Sequence, residues 1–158
     1  MADERMLTLA KQVYKTLCDA IDKRQWNYKK EEEELRVYFG VNGEDIPMQF
    51  VLIVDAERQL IRLLSPLPFK MDEDKRMEGA IATCVATYKI ADGSFDYDLS
   101  DGTIVFRMTA SFRESQIGEG LFQYLISCSC STVDRFNDQF LALNKNVISI
   151  SDFIAKNS

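Results

Sequence analysis

An α+β fold, an antiparallel sheet of about five strands with helices packed on one face, is predicted by three features of this 158-residue sequence. Apolar residues recur with a helical period in three stretches. Between those stretches they alternate with a period of two, as strands do. Within each group of consecutive strands the connections are short hairpin turns, so neighbours run antiparallel.

The first stretch carries Met6, Ala10, Val13, Leu17 and Ile21 at helical spacing, with Leu9 and Tyr14 beside them, and predicts an amphipathic helix from Met6 to about Arg24. The charged run Lys29 to Glu34 follows and reads as a solvated connector. Leu35, Val37, Phe39 and Val41 alternate with polar or small residues, and Asn42-Gly43 tolerates the positive φ of a tight turn, which makes a hairpin. The next strand, Ile46 to Asp55, is apolar on both parities. A turn at Asp55 to Arg58 leads to a third strand from Gln59 to about Leu64, expected to end at Pro66 and Pro68.

Asp72, Glu73 and Asp74 place a cap and acidic first-turn residues ahead of Met77, Ala80, Ile81, Cys84, Val85 and Tyr88, a second helix ending near Asp92-Gly93. Phe95, Tyr97 and Leu99, the Asp101-Gly102 turn, and Ile104, Phe106, Met108, Ala110 and Phe112 form a second hairpin with one apolar face. A long third helix runs from about Gly118 to Asn144, through Leu121, Leu125, Phe136, Phe140 and Leu143. The end, Val147 to Ser158, is expected to form a short turn begun by Ser151 or Asp152 and to fray. The order is α-β-β-β-α-β-β-α, one domain over 1–158 with its core at about 5–144 and a tail at 145–158.

Composition narrows the function. The chain has 46% hydrophobic and 28% charged residues, with no low-complexity segment and no apolar run long enough for a membrane span. A cytoplasmic protein with reduced cysteines is expected, because the N-terminus lacks a signal-like pattern. The net charge of −6 opposes non-specific attraction to nucleic acid or anionic lipid.

No histidine occurs, which removes the commonest general base and metal ligand and, with them, Ser/His and Cys/His nucleophile systems. Cys18, Cys84, Cys128 and Cys130 all fall within helical stretches and read as packing thiols. Cys128 and Cys130, two apart on a helix, point about 200° from each other and do not chelate one ion. Asp96 to Gly102 brushes against a calcium loop, but its glycine comes one place late and Arg107 stands where the closing glutamate belongs. Gly118-Glu119-Gly120 opens a helix after a strand, yet Gln123 takes the third glycine's place and Glu119 repels a pyrophosphate. No catalytic residue, metal site or cofactor is predicted.

The organisation, together with Asp92-Gly93-Ser94-Phe95-Asp96-Tyr97-Asp98, the Asp101-Gly102 turn and Ile104-Val105-Phe106-Arg107, resembles the YbjN family of bacterial proteins over about residues 5–144. The resemblance implies a fold like that of type III secretion chaperones, which pair into dimers and hold extended segments of client proteins. It carries no catalytic residue over to this sequence.

A non-enzymatic protein-binding module, chaperone-like or regulatory, is therefore the expected function. Val51, Ile53, Ile61 and Leu63 are expected to form a second apolar sheet face that the helices leave open, with Arg62 and Arg107 as polar anchors. Through that face or the second helix the protein is expected to form a homodimer or take a protein client. The alternative is a small-molecule sensor or small enzyme with a pocket between sheet and helices, using Tyr38, Tyr97 or a cysteine. A regulatory subunit whose acidic surface docks a basic partner is a third reading.

Overall fold

Residues 1–158 are described by a computed structural model. Six strands form one antiparallel sheet in the order β1-β2-β3-β4-β6-β5: β1 Lys29–Glu31, β2 Arg36–Asn42, β3 Pro47–Asp55, β4 Leu60–Lys70, β5 Ser94–Tyr97 and β6 Thr103–Ser111. Four helices accompany it: α1 Glu4–Lys23, α2 Arg76–Tyr88, α3 Glu119–Asn144 and α4 Ile150–Lys156. No helix is long and apolar enough to cross a membrane.

The strand absent from the sequence reading is β1. Lys29–Glu31 pairs with β2, Lys29 opposite Tyr38 and Glu31 opposite Arg36, so part of the charged run is a sheet edge rather than a connector. An edge strand of three residues with nothing to bury has no apolar alternation by which to be recognised.

β4 also departs from expectation, running on through Pro66 and Pro68 to Lys70. Its ladder with β3 extends only from Leu60 to Leu64, whereas its ladder with β6 continues to Pro66 opposite Val105 and then shifts register before Lys70. Beyond Leu64 the prolines sit where one side of β4 has no ladder partner and at an irregularity, the two settings a strand proline tolerates.

One face of the sheet is the core face. Val37, Phe39, Phe50, Leu52, Val54, Ile61, Leu63, Ile104, Phe106 and Met108 are buried there against α1 and α3. α1 is capped by Asp3, whose carboxylate accepts from the Met6 N–H at 2.8 Å, and it buries Ala10, Val13, Leu17 and Ile21. Beneath α3 an aromatic chain continues the core. Phe95 meets Phe106 at 5.1 Å, Phe136 at 5.5 Å and Phe140 at 5.1 Å between ring centroids. Such tilted and edge-on contacts stabilise beyond the area they bury.

The tail does not fray. Ser149 and Asp152 form a capping box that starts α4, and Phe153 is fully buried, stacked on Phe140 at 5.6 Å. Asn157 adds a buried hydrogen bond from Nδ2 to Gln139 Oε1 at 2.8 Å. One aromatic anchor and a reciprocal cap suffice to hold seven residues that look polar in sequence.

Candidate protein-binding surface

The other face of the sheet has no buried residue. Its positions in β2, β3, β4 and β6 are half-buried by their neighbours or exposed. The register orders them into cross-strand rows. Glu31, Arg36, Ile53, Arg62 and Thr109 form one row. Lys29, Tyr38, Val51, Leu64, Arg107 and Ser94 form the next. Pro66, Val105 and Asp96 extend the surface beyond them.

Of the residues expected on this face, Val51, Ile53, Arg62 and Arg107 lie on it. Ile61 and Leu63 do not: both are fully buried on the core face, where Ile61 stands opposite Val54 and Leu63 opposite Leu52. Apolar residues on both parities of β3 and β4 leave their inward side ambiguous when the apolar positions alone are read. Leu64 and Val105, missed by the sequence reading, occupy the open side instead. The signal was Arg62, which places Leu60 and Leu64 on its own side of β4.

The charges of this face are unequally satisfied. Arg107 is clasped by Asp96, with Nε at 2.6 Å and Nη2 at 3.3 Å from its two oxygens. Glu31 accepts from the Tyr38 hydroxyl at 3.0 Å and from Lys29 at 3.3 Å, which holds its carboxyl below the usual range. Asp55 accepts from the Arg58 backbone N–H at 3.0 Å and from Arg58 Nη1 at 3.1 Å, leaving Arg62 Nη2 at 3.7 Å, too far for a hydrogen bond. Arg36 has no ion pair at all. The Nε atoms of both Arg36 and Arg62 are buried without a hydrogen-bond partner.

α2 presents a second uncovered surface. Its buried residues are the small ones, Gly79, Ala82, Thr83 and Ala86, while Met77, Ile81, Cys84 and Tyr88 face outward, Met77 at 68% and Tyr88 at 85% exposure. The helical period of Met77, Ala80, Ile81, Cys84, Val85 and Tyr88 predicts the helix, but its large residues are not the ones that pack inward. The small residues pack inward because the approach is close: a Cβ on Gly79 would stand 2.6 Å from the Tyr97 hydroxyl, which donates to Arg76 O at 2.8 Å.

The remaining motifs are structural. Cys18 is buried, and burial pushes the Cys130 thiol up to about 11, so neither is a ready nucleophile. Cys84 is exposed, contrary to its expected packing role. The Asp96 to Gly102 segment is a self-satisfied turn. Asp98 Oδ1 accepts from Ser100 N, and Asp101 Oδ1 accepts from Thr103 N, both at 2.9 Å. Tyr38 and Tyr97 give their hydroxyl protons to Glu31 and to the backbone. Two large open clefts, about 940 and 680 Å³, border α1: one at its start beside Gln59 and Arg113, the other between α1 and the Lys30–Leu35 edge of the sheet.

Comparison with solved structures places this fold. A chain in the crystal structure of the ExsC–ExsE complex superposes with a TM-score of 0.54 at 14% identity, over 80% of this chain and 94% of that one. A chain in the structure of the HopA1–SchA chaperone–effector complex does so with a TM-score of 0.50 at 13% identity, over the same shares. The fold is thus one that occurs in a chaperone–effector complex. No family model matches the sequence, and no curated protein does.

Proposed function

We propose that this protein is a non-enzymatic, chaperone-like module that holds an extended segment of a partner protein on its open sheet face. One observation carries the reading: Val51, Ile53, Leu64 and Val105 form an apolar strip across adjacent strands, β3, β4 and β6, with no helix over it. An uncovered apolar surface rimmed by polar groups is the form of a docking site. The likeness to a chaperone–effector complex supports it, and a YbjN-like relationship remains part of the proposal.

Self-association through α2 completes it. Met77, Ile81, Cys84 and Tyr88 are spaced four, three and four residues apart, so the stripe reads alike in both directions. Two antiparallel copies set Met77 against Tyr88 and Ile81 against Cys84, an isologous contact.

The test of the sheet face is selection of linear randomised peptides on the wild-type protein, with an Ile53→Asp variant of native circular dichroism as the counter-target. Peptides retained only by the wild type support the reading. Equal retention by both proteins sinks it. Light scattering tests the pairing: Ile81→Glu should convert a dimer to a monomer.

A further inference from the structure

We propose that the open sheet face selects for an acidic residue, accepting an extended segment in which an Asp or Glu stands two positions from an apolar residue. The inference rests on the sheet-face reading above and names the chemistry of its partner.

Arg36 and Arg62 flank Ile53 in one cross-strand row, about 10 Å apart at two strand spacings. The acids beside them give their hydrogen bonds to other groups: Glu31 accepts from Tyr38 and Lys29, and Asp55 accepts from Arg58 while standing 3.7 Å from Arg62 Nη2, an ion pair without a hydrogen bond. Both arginines also keep an Nε with no partner. A protein with a net charge of −6 thus carries, side by side on its uncovered sheet face, two guanidinium groups that no carboxylate hydrogen-bonds. A carboxylate above Ile53 lies within reach of both, and guanidinium forks bind carboxylates with directional, charge-assisted bonds.

The next row toward Val51 and Leu64 is apolar, one i to i+2 step away along β3. That step, about 6.8 Å, is also the spacing of same-side side chains in an extended peptide. A segment running along β3 therefore sets its acid over Ile53 and its apolar residue, two positions on, over Val51 and Leu64. A nucleic acid offers anionic groups as well, but the summed field of the chain opposes its phosphate array.

The experiment pans a randomised linear peptide library in parallel on the wild type, on Arg36→Gln/Arg62→Gln and on Ile53→Asp, then measures synthetic versions by fluorescence anisotropy. Wild-type binders that require Ile53 should be enriched in Asp or Glu two positions from an apolar residue. They should bind the double arginine variant about 10-fold or more weakly, and less tightly as salt rises. Arg36→Lys/Arg62→Lys should recover part of the loss, and Arg107→Gln, whose guanidinium is held by Asp96, should matter less. Binders that depend on Ile53 but show no acidic preference and ignore the arginine change overturn this inference while the sheet-face reading stands. Absence of any Ile53-dependent binder overturns both. A labelled single-stranded oligonucleotide that binds through Arg36 and Arg62 while acidic peptides do not would also overturn it.

Discussion

Ile53 of β3 stands directly across the ladder from Arg62 of β4, and Val54 beside it stands across from Ile61. This register decides which residues of two strands that are apolar on both parities are buried in the core and which lie on the open face. A shift of one residue would exchange the two sets.

Leu63 and Leu64, adjacent on β4, should therefore respond oppositely to the same change. Leu63→Glu buries a carboxylate among Leu52 and Met108 and should cost more than about 4 kcal/mol, enough to unfold many domains. Leu64→Glu should stay folded, with a loss near 1 kcal/mol, and lose peptide binding. Urea denaturation followed by circular dichroism separates them; equal midpoints would contradict the assignment of faces.

Phe153→Ala should destabilise the protein by about 3–5 kcal/mol, as for other large core aromatics, because Phe153 is fully buried against Phe140. The urea midpoint reads this out. A tail that merely frayed would leave it unmoved.

Gly102 and Gly120 should diverge on substitution by alanine. Gly102 has a φ of +80° and a Cβ there would stand 2.2 Å from Met71 O, so Gly102→Ala should cost several kcal/mol from strain and displaced backbone. A Cβ on Gly120, in the first turn of α3, meets nothing, and Gly120→Ala should stabilise by about 0.5–1 kcal/mol. Thermal melts of the two variants should move in opposite directions.

Asp101 should titrate at about 2, because the Thr103 backbone N–H, the Thr103 hydroxyl and then Lys70 favour its ionised form. A folded-state value below the unfolded one means that the contribution is present at neutral pH. It fades as pH falls from the ordinary carboxylate range near about 4 through about 2. Carboxyl chemical shifts over acid pH give the midpoint directly, and a value near 4 would remove the turn's electrostatic role.

Maleimide labelling at neutral pH should modify Cys84 first, since it is exposed on α2, while half-buried Cys130, its thiol raised by burial, reacts more slowly and buried Cys18 reacts only on unfolding. Peptide mapping identifies the site. Labelling at Cys84 should also be slowed by self-association through α2, which places Cys84 against Ile81 of the second copy.

By itself the sequence determined the class of fold, the three main helices, the two hairpins and the absence of histidine chemistry. These depend on period, turn residues and residue type, which are local properties. Asn42-Gly43 and Asp101-Gly102 mark their turns within a few residues. Which side of β3 and β4 faces the helices, which side of α2 is packed, and whether Lys29–Glu31 and Phe153 join the body were decided only by tertiary structure. Each is settled by a distant partner: the ladder from β2 to β6, Tyr97 beneath Gly79, Tyr38 across from Lys29, and Phe140 under Phe153. Where a strand is apolar on both parities, or a helix can bury either its small or its large residues, local pattern is degenerate and packing breaks the tie.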